Sequence, residues 1–211
     1  MKKGNPYLHD CSACETKCDG VSKGVYDFQS DVAFSEHFEQ ELVKKIKRND
    51  HFAKKTEKDG YPDIEVYDRE GGELLCYIEV KAQRRTFMSV KDRLPKAGLA
   101  ASETMALNLS DLLRYFKIDK EVDVPVYIMW LLEDRPCVLG DKAVLSFYQD
   151  VRVLERIYKK AGDARRFRRM SGKGDVVDGV HKGVVVNYHF SLNEMEPFQV
   201  KDFLKKLSEE G

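Results

Sequence analysis

The sequence predicts an α/β fold, a central mixed sheet flanked by helices, and three observations predict it. A pair of strands joined by a tight turn lies at residues 61–85, and an amphipathic helical segment follows at 102–117. The run VPVYIMWLL at 124–132 is wholly apolar, as suits a strand buried on both faces. Strand, turn, strand, helix, strand is the alternation that builds such a sheet.

The chain has 211 residues, enough for one domain with a small appendage: residues 1–30 as a Cys-rich segment and 31–211 as the main domain. Apolar residues make up 42%, an ordinary core, and the net charge is zero. Any attraction to nucleic acid must then come from local basic patches rather than from the whole molecule. No run approaches the length of a membrane span, and MKKGNPYLHDC lacks the apolar stretch of a signal peptide. The expectation is a cytoplasmic protein without a membrane partner. Five cysteines, an odd number, argue against a disulfide framework in a reducing compartment.

In order along the chain, HDCSACETKC comes first. His9, Cys11, Cys14 and Cys18 fall within ten residues and could surround a structural Zn²⁺ as Cys₃His. Of the other two cysteines, Cys137 falls in a turn after a strand and Cys76 faces the core. Residues 31–48 follow as a helix, capped by Ser30 or Asp31, with Phe34, Phe38, Leu42 and Ile46 on one face. A first strand is expected within 51–58, with Asp59-Gly60 turning into the next.

In YPDIEVYDREGGELLCYIEVKAQRR, Ile64 and Val66 alternate with Asp63, Glu65 and Tyr67. Gly71 and Gly72 supply the turn. In the second strand Cys76, Ile78 and Val80 face one way, while Glu79 and Lys81 share the opposite face with Leu75 and Tyr77. Pairing can bring Asp63, Glu79 and Lys81 to one side. Two carboxylates suit a hard divalent ion such as Mg²⁺, and an ammonium beside them can orient a water and steady developing negative charge.

Two basic stretches stand out. Arg84, Arg85, Lys91, Arg93 and Lys96 face only Asp92, and Pro95 and Gly98 mark a loop expected to be mobile until it meets a phosphate backbone. Residues 158–173 carry Lys159, Lys160, Arg165, Arg166, Arg168, Arg169 and Lys173 against Asp163, with Phe167 interleaved. Residues 141–160 read as a helix, 172–183 as a glycine-rich turn, 184–190 as a strand and 198–207 as a closing helix. His181 and His189 read as structural.

Pro62-Asp63 and Glu79-Val80-Lys81 together resemble the PD-(D/E)xK nuclease superfamily, which includes restriction endonucleases and Holliday-junction resolvases. The resemblance covers roughly residues 32–132. The bare ExK tripeptide is weak, since Glu15-Thr16-Lys17 also satisfies it; the PD strand and the Gly-Gly turn give the second copy its context. The resemblance implies a restriction-endonuclease-like core of order α-β-β-β-α-β and a magnesium- or manganese-dependent endonuclease acting on DNA. RNA is a further substrate class, and a homodimer would suit double-strand cuts. Some nucleases resembling this superfamily carry four cysteine ligands, which makes an iron–sulfur cluster the second reading of the cysteines, with Cys137 as the fourth thiolate.

Residue by residue, it implies metal binding by Asp63, Glu79 and the Ala82 carbonyl, with Lys81 orienting water and Gln83 positioning water or a phosphate. FEQELVKKI looks like the first helix of the resolvases and places a further metal-shell carboxylate at Glu39, with Glu36 and Glu41 as competitors. The rival reading is a nucleic-acid-binding protein on a nuclease-like scaffold that has lost catalysis.

Overall fold

The computed structural model describes residues 4–12, 14, 18, 28–83, 86–133, 135–168, 176–177, 180–181 and 186–210. Its centre is a six-stranded mixed sheet built from β1 (Phe52–Lys55), β2 (Ile64–Tyr67), β3 (Leu74–Gln83), β5 (Val126–Leu132), β6 (Leu145–Asp150) and β11 (Glu196–Pro197). They lie in that spatial order; β3 and β5 are parallel and every other neighbouring pair is antiparallel. Helix α1 (Phe28–Lys47) precedes β1, and α3 (Leu109–Glu121) makes the crossover between the parallel pair. The order α-β-β-β-α-β is therefore present.

Period-two alternation in β5 divides the interior. Val126, Ile128, Trp130 and Leu132 enter a core shared with α3 and α5 (Val151–Ala161). Tyr127, Met129 and Leu131 enter a second core beneath α1 and α6 (Val200–Glu210). Leu42 and Ile46 are the buried residues of the α1 stripe, and Phe203, Leu204 and Leu207 those of α6.

The β2–β3 turn has the chemistry expected of it. Gly71 has φ +71°, and a Cβ on Gly72 would lie 1.8 Å from Asp68 Oδ1, the oxygen that accepts the Arg69 and Glu73 N–H groups. Ile64 pairs with Ile78, and a register shift after Val66 sets Tyr67 opposite Leu74. That bulge turns Leu75 towards the α1 core, away from Tyr77.

Two helices expected from the sequence begin with strands instead. Within 102–117, a 3₁₀ turn (Ala101–Glu103) leads to β4 (Thr104–Asn108), which pairs antiparallel with β10 (Val186–Ser191); only then does α3 begin. Leu113 of α3 is exposed. Within 141–160, β6 occupies Leu145–Asp150 against β5, and Asp150 caps α5 by accepting the Arg152 N–H. A long-range strand partner outweighs helical spacing in both places.

A second sheet has the order β4, β10, β7 (Arg166–Arg168), and a short hairpin joins β8 (Val176–Val177) to β9 (Val180–His181). The basic loop expected to be mobile contains the short helix α2 (Val90–Arg93). It folds over its own small core of Val90, Leu94, Leu99 and Ala101. One further short helix, α4 (Pro136–Leu139), follows β5.

Candidate active site

The site arises because β2 starts late. From Glu79 onward β3 has no partner in β2, while its other edge stays paired with β5 through Gln83. Asp63, just ahead of β2, fills the open edge: its Oδ2 accepts the Val80 N–H at 2.8 Å. Main-chain groups alternate along a strand, so Ala82 turns its own to the same edge as Val80.

Glu79 is buried and Lys81 is 31% exposed, so solvent and a ligand can reach the lysine. Lys81 Nζ lies 2.5 Å from Glu79 Oε1 and 3.9 Å from Asp111 Oδ2 on α3. Arg114 holds Asp111 at 2.9 Å and donates to the Tyr115 hydroxyl at 3.0 Å. Tyr115, buried midway along α3, stands beside Glu79 and favours its ionised form.

Helix α1 contributes from the other side. Of its three candidate glutamates, Glu36 is exposed and Glu41 pairs with Lys44 at 2.9 Å, whereas Glu39 is buried. Lys55 Nζ stands 2.9 Å from Glu39 Oε2, without the direction of a hydrogen bond. The charge of Glu39 acts on Asp63. Glu39, Asp63, Glu79 and Lys81 thus occupy one neighbourhood.

Burial raises the pKa of Asp63; repulsion from Glu39 adds to this, while the Val80 N–H, Lys81 and Lys55 oppose it. Burial likewise raises Glu79, and Asp63 adds to it against the pull of Lys81 and Tyr115. For Lys81 burial acts downward, but Glu79, Asp111 and Asp63 outweigh it, and the ammonium is held above its ordinary value. Carboxylates that repel one another in a largely buried site are the donors a hard divalent ion would satisfy. Yet among the described residues no three His, Cys, Asp or Glu side chains are drawn close enough to hold a metal ion.

Gln83 has a different occupation from the one expected. Its amide donates to Thr104 O at 3.2 Å and accepts from Ala106 N at 3.0 Å, tying β3 to β4. Sequence reasoning missed Lys55, Asp111, Arg114 and Tyr115. The last three lie at the start of α3 with i, i+3 and i+4 spacing, a signal visible once the helix is started at Leu109.

The basic stretches separate by role. Lys91, Arg93 and Arg168 are exposed, but Arg165 pairs with Glu194 at 2.7 Å and Arg166 with Asp163 at 2.6 Å. Arg84, Arg85, Arg169 and Lys173 lie outside the described residues. Near the N-terminus, His9 is exposed and Cys18 buried, and none of the five cysteines forms a disulfide. Among the described residues no helix is long and apolar enough to cross a membrane.

No family model and no curated protein matches this chain. Among solved structures it is similar to the Holliday junction resolvase Hjc of the archaeal hyperthermophile Archaeoglobus fulgidus. Identity is 12%, the match covers 81% of this chain and 95% of that one, and the TM-score is 0.42. A likeness of that size carries no conclusion about activity.

Proposed function

We propose that the chain is a metal-dependent nuclease that hydrolyses phosphodiester bonds within DNA. One observation carries the reading: Asp63 is bonded to Val80, between Glu79 and Lys81, at an open strand edge, with buried Glu39 beside it. Asp63, Glu79, Glu39 and the Ala82 carbonyl would hold Mg²⁺ or Mn²⁺. Such an ion, when bound, acidifies a water and neutralises charge on the phosphate.

The chain's own groups do the rest. Lys81 reaches solvent, and its ammonium orients the attacking water and stabilises charge on the phosphate oxygens. For this it must leave Glu79, and Asp111 offers a second carboxylate on that path. Arg114 fixes Asp111, and Tyr115 favours the ionised form of Glu79 against the burial that raises its pKa. Gln83 is a positioning residue that fixes the end of β3 through β4. Exposed Lys91, Arg93 and Arg168 supply phosphate contacts to the nucleic acid.

A second reading, a nucleic-acid-binding protein without catalysis, draws on the Glu79–Lys81 contact, in which a lysine already neutralises the carboxylate. Titration calorimetry with Mn²⁺ separates the two. The nuclease reading expects a weak site in wild type that is lost in Glu79→Ala. A wild type that binds no Mn²⁺ would favour the second reading.

A further inference from the structure

Strand β6 is paired on its outer side only by the short β11, where Glu196 meets Tyr148 and Pro197 meets Phe147. The chain then leaves the sheet: the Phe198 N–H donates to Ser146 O at 2.8 Å, and α6 begins at Val200. Beside that departure a cleft of about 960 Å³ lies between α1, the start of β6 and the start of α6. Its volume falls within the range of small-molecule sites.

Aromatic rings line it: Phe38 of α1, Phe147 of β6, Phe198 ahead of α6, and Tyr7. Tyr7 comes from the N-terminal segment, with its ring edge-on to that of Phe147 at 5.4 Å. Phe38 and Tyr7 are only partly buried, so a ligand can reach their rings. Ser146 and Gln199 bring polar side chains to the same cleft, the kind of group that fixes a ligand's orientation.

The charge around the cleft is one-sided. Lys45 and Arg48 near the end of α1, Lys142 before β6 and Lys201 in the first turn of α6 all line it, and all are exposed. Among the described residues none of these cations makes an ion pair. Of the two carboxylates in the lining, Glu41 is taken by Lys44 at 2.9 Å, which leaves Asp202. Unpaired cations gathered at one concavity focus positive potential into it, here in a chain of zero net charge.

We infer that the cleft binds a nucleoside polyphosphate, with its base among the aromatic rings and its phosphates on Lys45, Arg48, Lys142 and Lys201. The rings offer stacking surfaces to a planar base, and a lysine or arginine is a fitting partner for phosphate. A fatty acid would satisfy the apolar wall, but its single carboxylate would leave most of the cations unmet. A polyphosphate carries enough charge to meet them. The cleft shares none of Glu39, Asp63, Glu79 and Lys81, and the inference does not depend on the nuclease reading.

The test is titration calorimetry of the full-length protein in EDTA, with ATP, GTP, adenosine, tripolyphosphate, laurate and a short DNA duplex as separate probes. ATP or GTP should bind at one site per chain, with adenosine and tripolyphosphate each at least about tenfold weaker. Lys142→Ala and Lys201→Ala should each weaken nucleotide binding by about tenfold, the loss of one charge-assisted contact. Both lysines are exposed, so thermal unfolding of the variants should match wild type. Lys117→Ala, on the exposed side of α3 and outside the cleft, should leave the affinity unchanged.

The assignment is overturned if neither nucleotide binds saturably, or if binding ignores both cleft lysines. Laurate binding more tightly than ATP would also overturn it, in favour of a lipid-like occupant. So would a duplex that binds where the nucleotides do not and loses affinity in Lys142→Ala and Lys201→Ala, which would make the cleft part of a nucleic-acid path.

Discussion

In the proposed metal site, Tyr115 bears on the charge of Glu79. Its hydroxyl opposes the burial that raises the Glu79 pKa, so Tyr115→Phe should raise that pKa further. Metal binding needs the ionised carboxylate. The pH midpoint of Mn²⁺ affinity should therefore move up, by at most roughly one unit, about 1.4 kcal/mol. Calorimetry across pH checks this, and an unmoved midpoint would place Glu79 outside the metal shell. The sign for stability runs the other way. Asp63 and Glu79 are raised in the fold, so their stabilising contribution is present below their unfolded pKa values near 4 and is lost as pH rises through the raised ones. At this scale much was legible. Strand alternation placed Glu79 and Lys81 on one face, and the resemblance singled out Glu39. Lys55 and Tyr115 were hidden, because one approaches from another strand and the other from a helix whose start was misplaced.

Strand β10 is held from both sides, and His189 lies at its centre. The ring is 2% exposed, its Nδ1 lies 3.2 Å from Arg165 O, and it stacks 4.9 Å from Phe87 of the basic loop. Burial lowers its pKa to about 4. A depressed histidine contributes stability that is present above its unfolded pKa of about 6.5 and lost as pH falls through about 4, an effect of up to about 3 kcal/mol. Urea unfolding of His189→Phe should show a flatter loss of stability between those limits than wild type. Parallel pH curves for the two proteins would contradict the assignment. The structural reading of His189 came from the sequence, but its reason did not. The β4–β10 pairing joins residues some eighty positions apart, and the local spacing of Met105, Leu109 and Leu112 mimics a helix.

Across the whole molecule, charge is sorted by what it touches. Arg165 serves the fold: its guanidinium bonds the Glu194 carboxylate, which also accepts the Ser191 N–H at 2.9 Å. Arg168 on β7 is exposed and free to meet a phosphate. In DNA-binding titrations across salt concentrations, Arg168→Ala should lower the magnitude of the log–log slope by about 0.9. Arg165→Ala should keep the slope and cost about 1–3 kcal/mol of stability, since a partly buried carboxylate loses its partner. The reverse pattern would exchange their roles. The two-sided core was legible at this scale because an all-apolar β5 demands cover on both faces. Which arginines are spent on folding was not, because ion pairing depends on Glu194, far along the chain.

The most direct test of the nuclease reading is cleavage at low salt. Wild type, Asp63→Asn and Lys81→Met are incubated with supercoiled plasmid, single-stranded DNA, a four-way junction and RNA, each with Mg²⁺, Mn²⁺ or EDTA. The account predicts metal-dependent cleavage of DNA by wild type, abolished by EDTA and lowered at least about a hundredfold in each variant. Cleavage that survives both substitutions, or a wild type that binds DNA with metal present and cuts none of it, would contradict it.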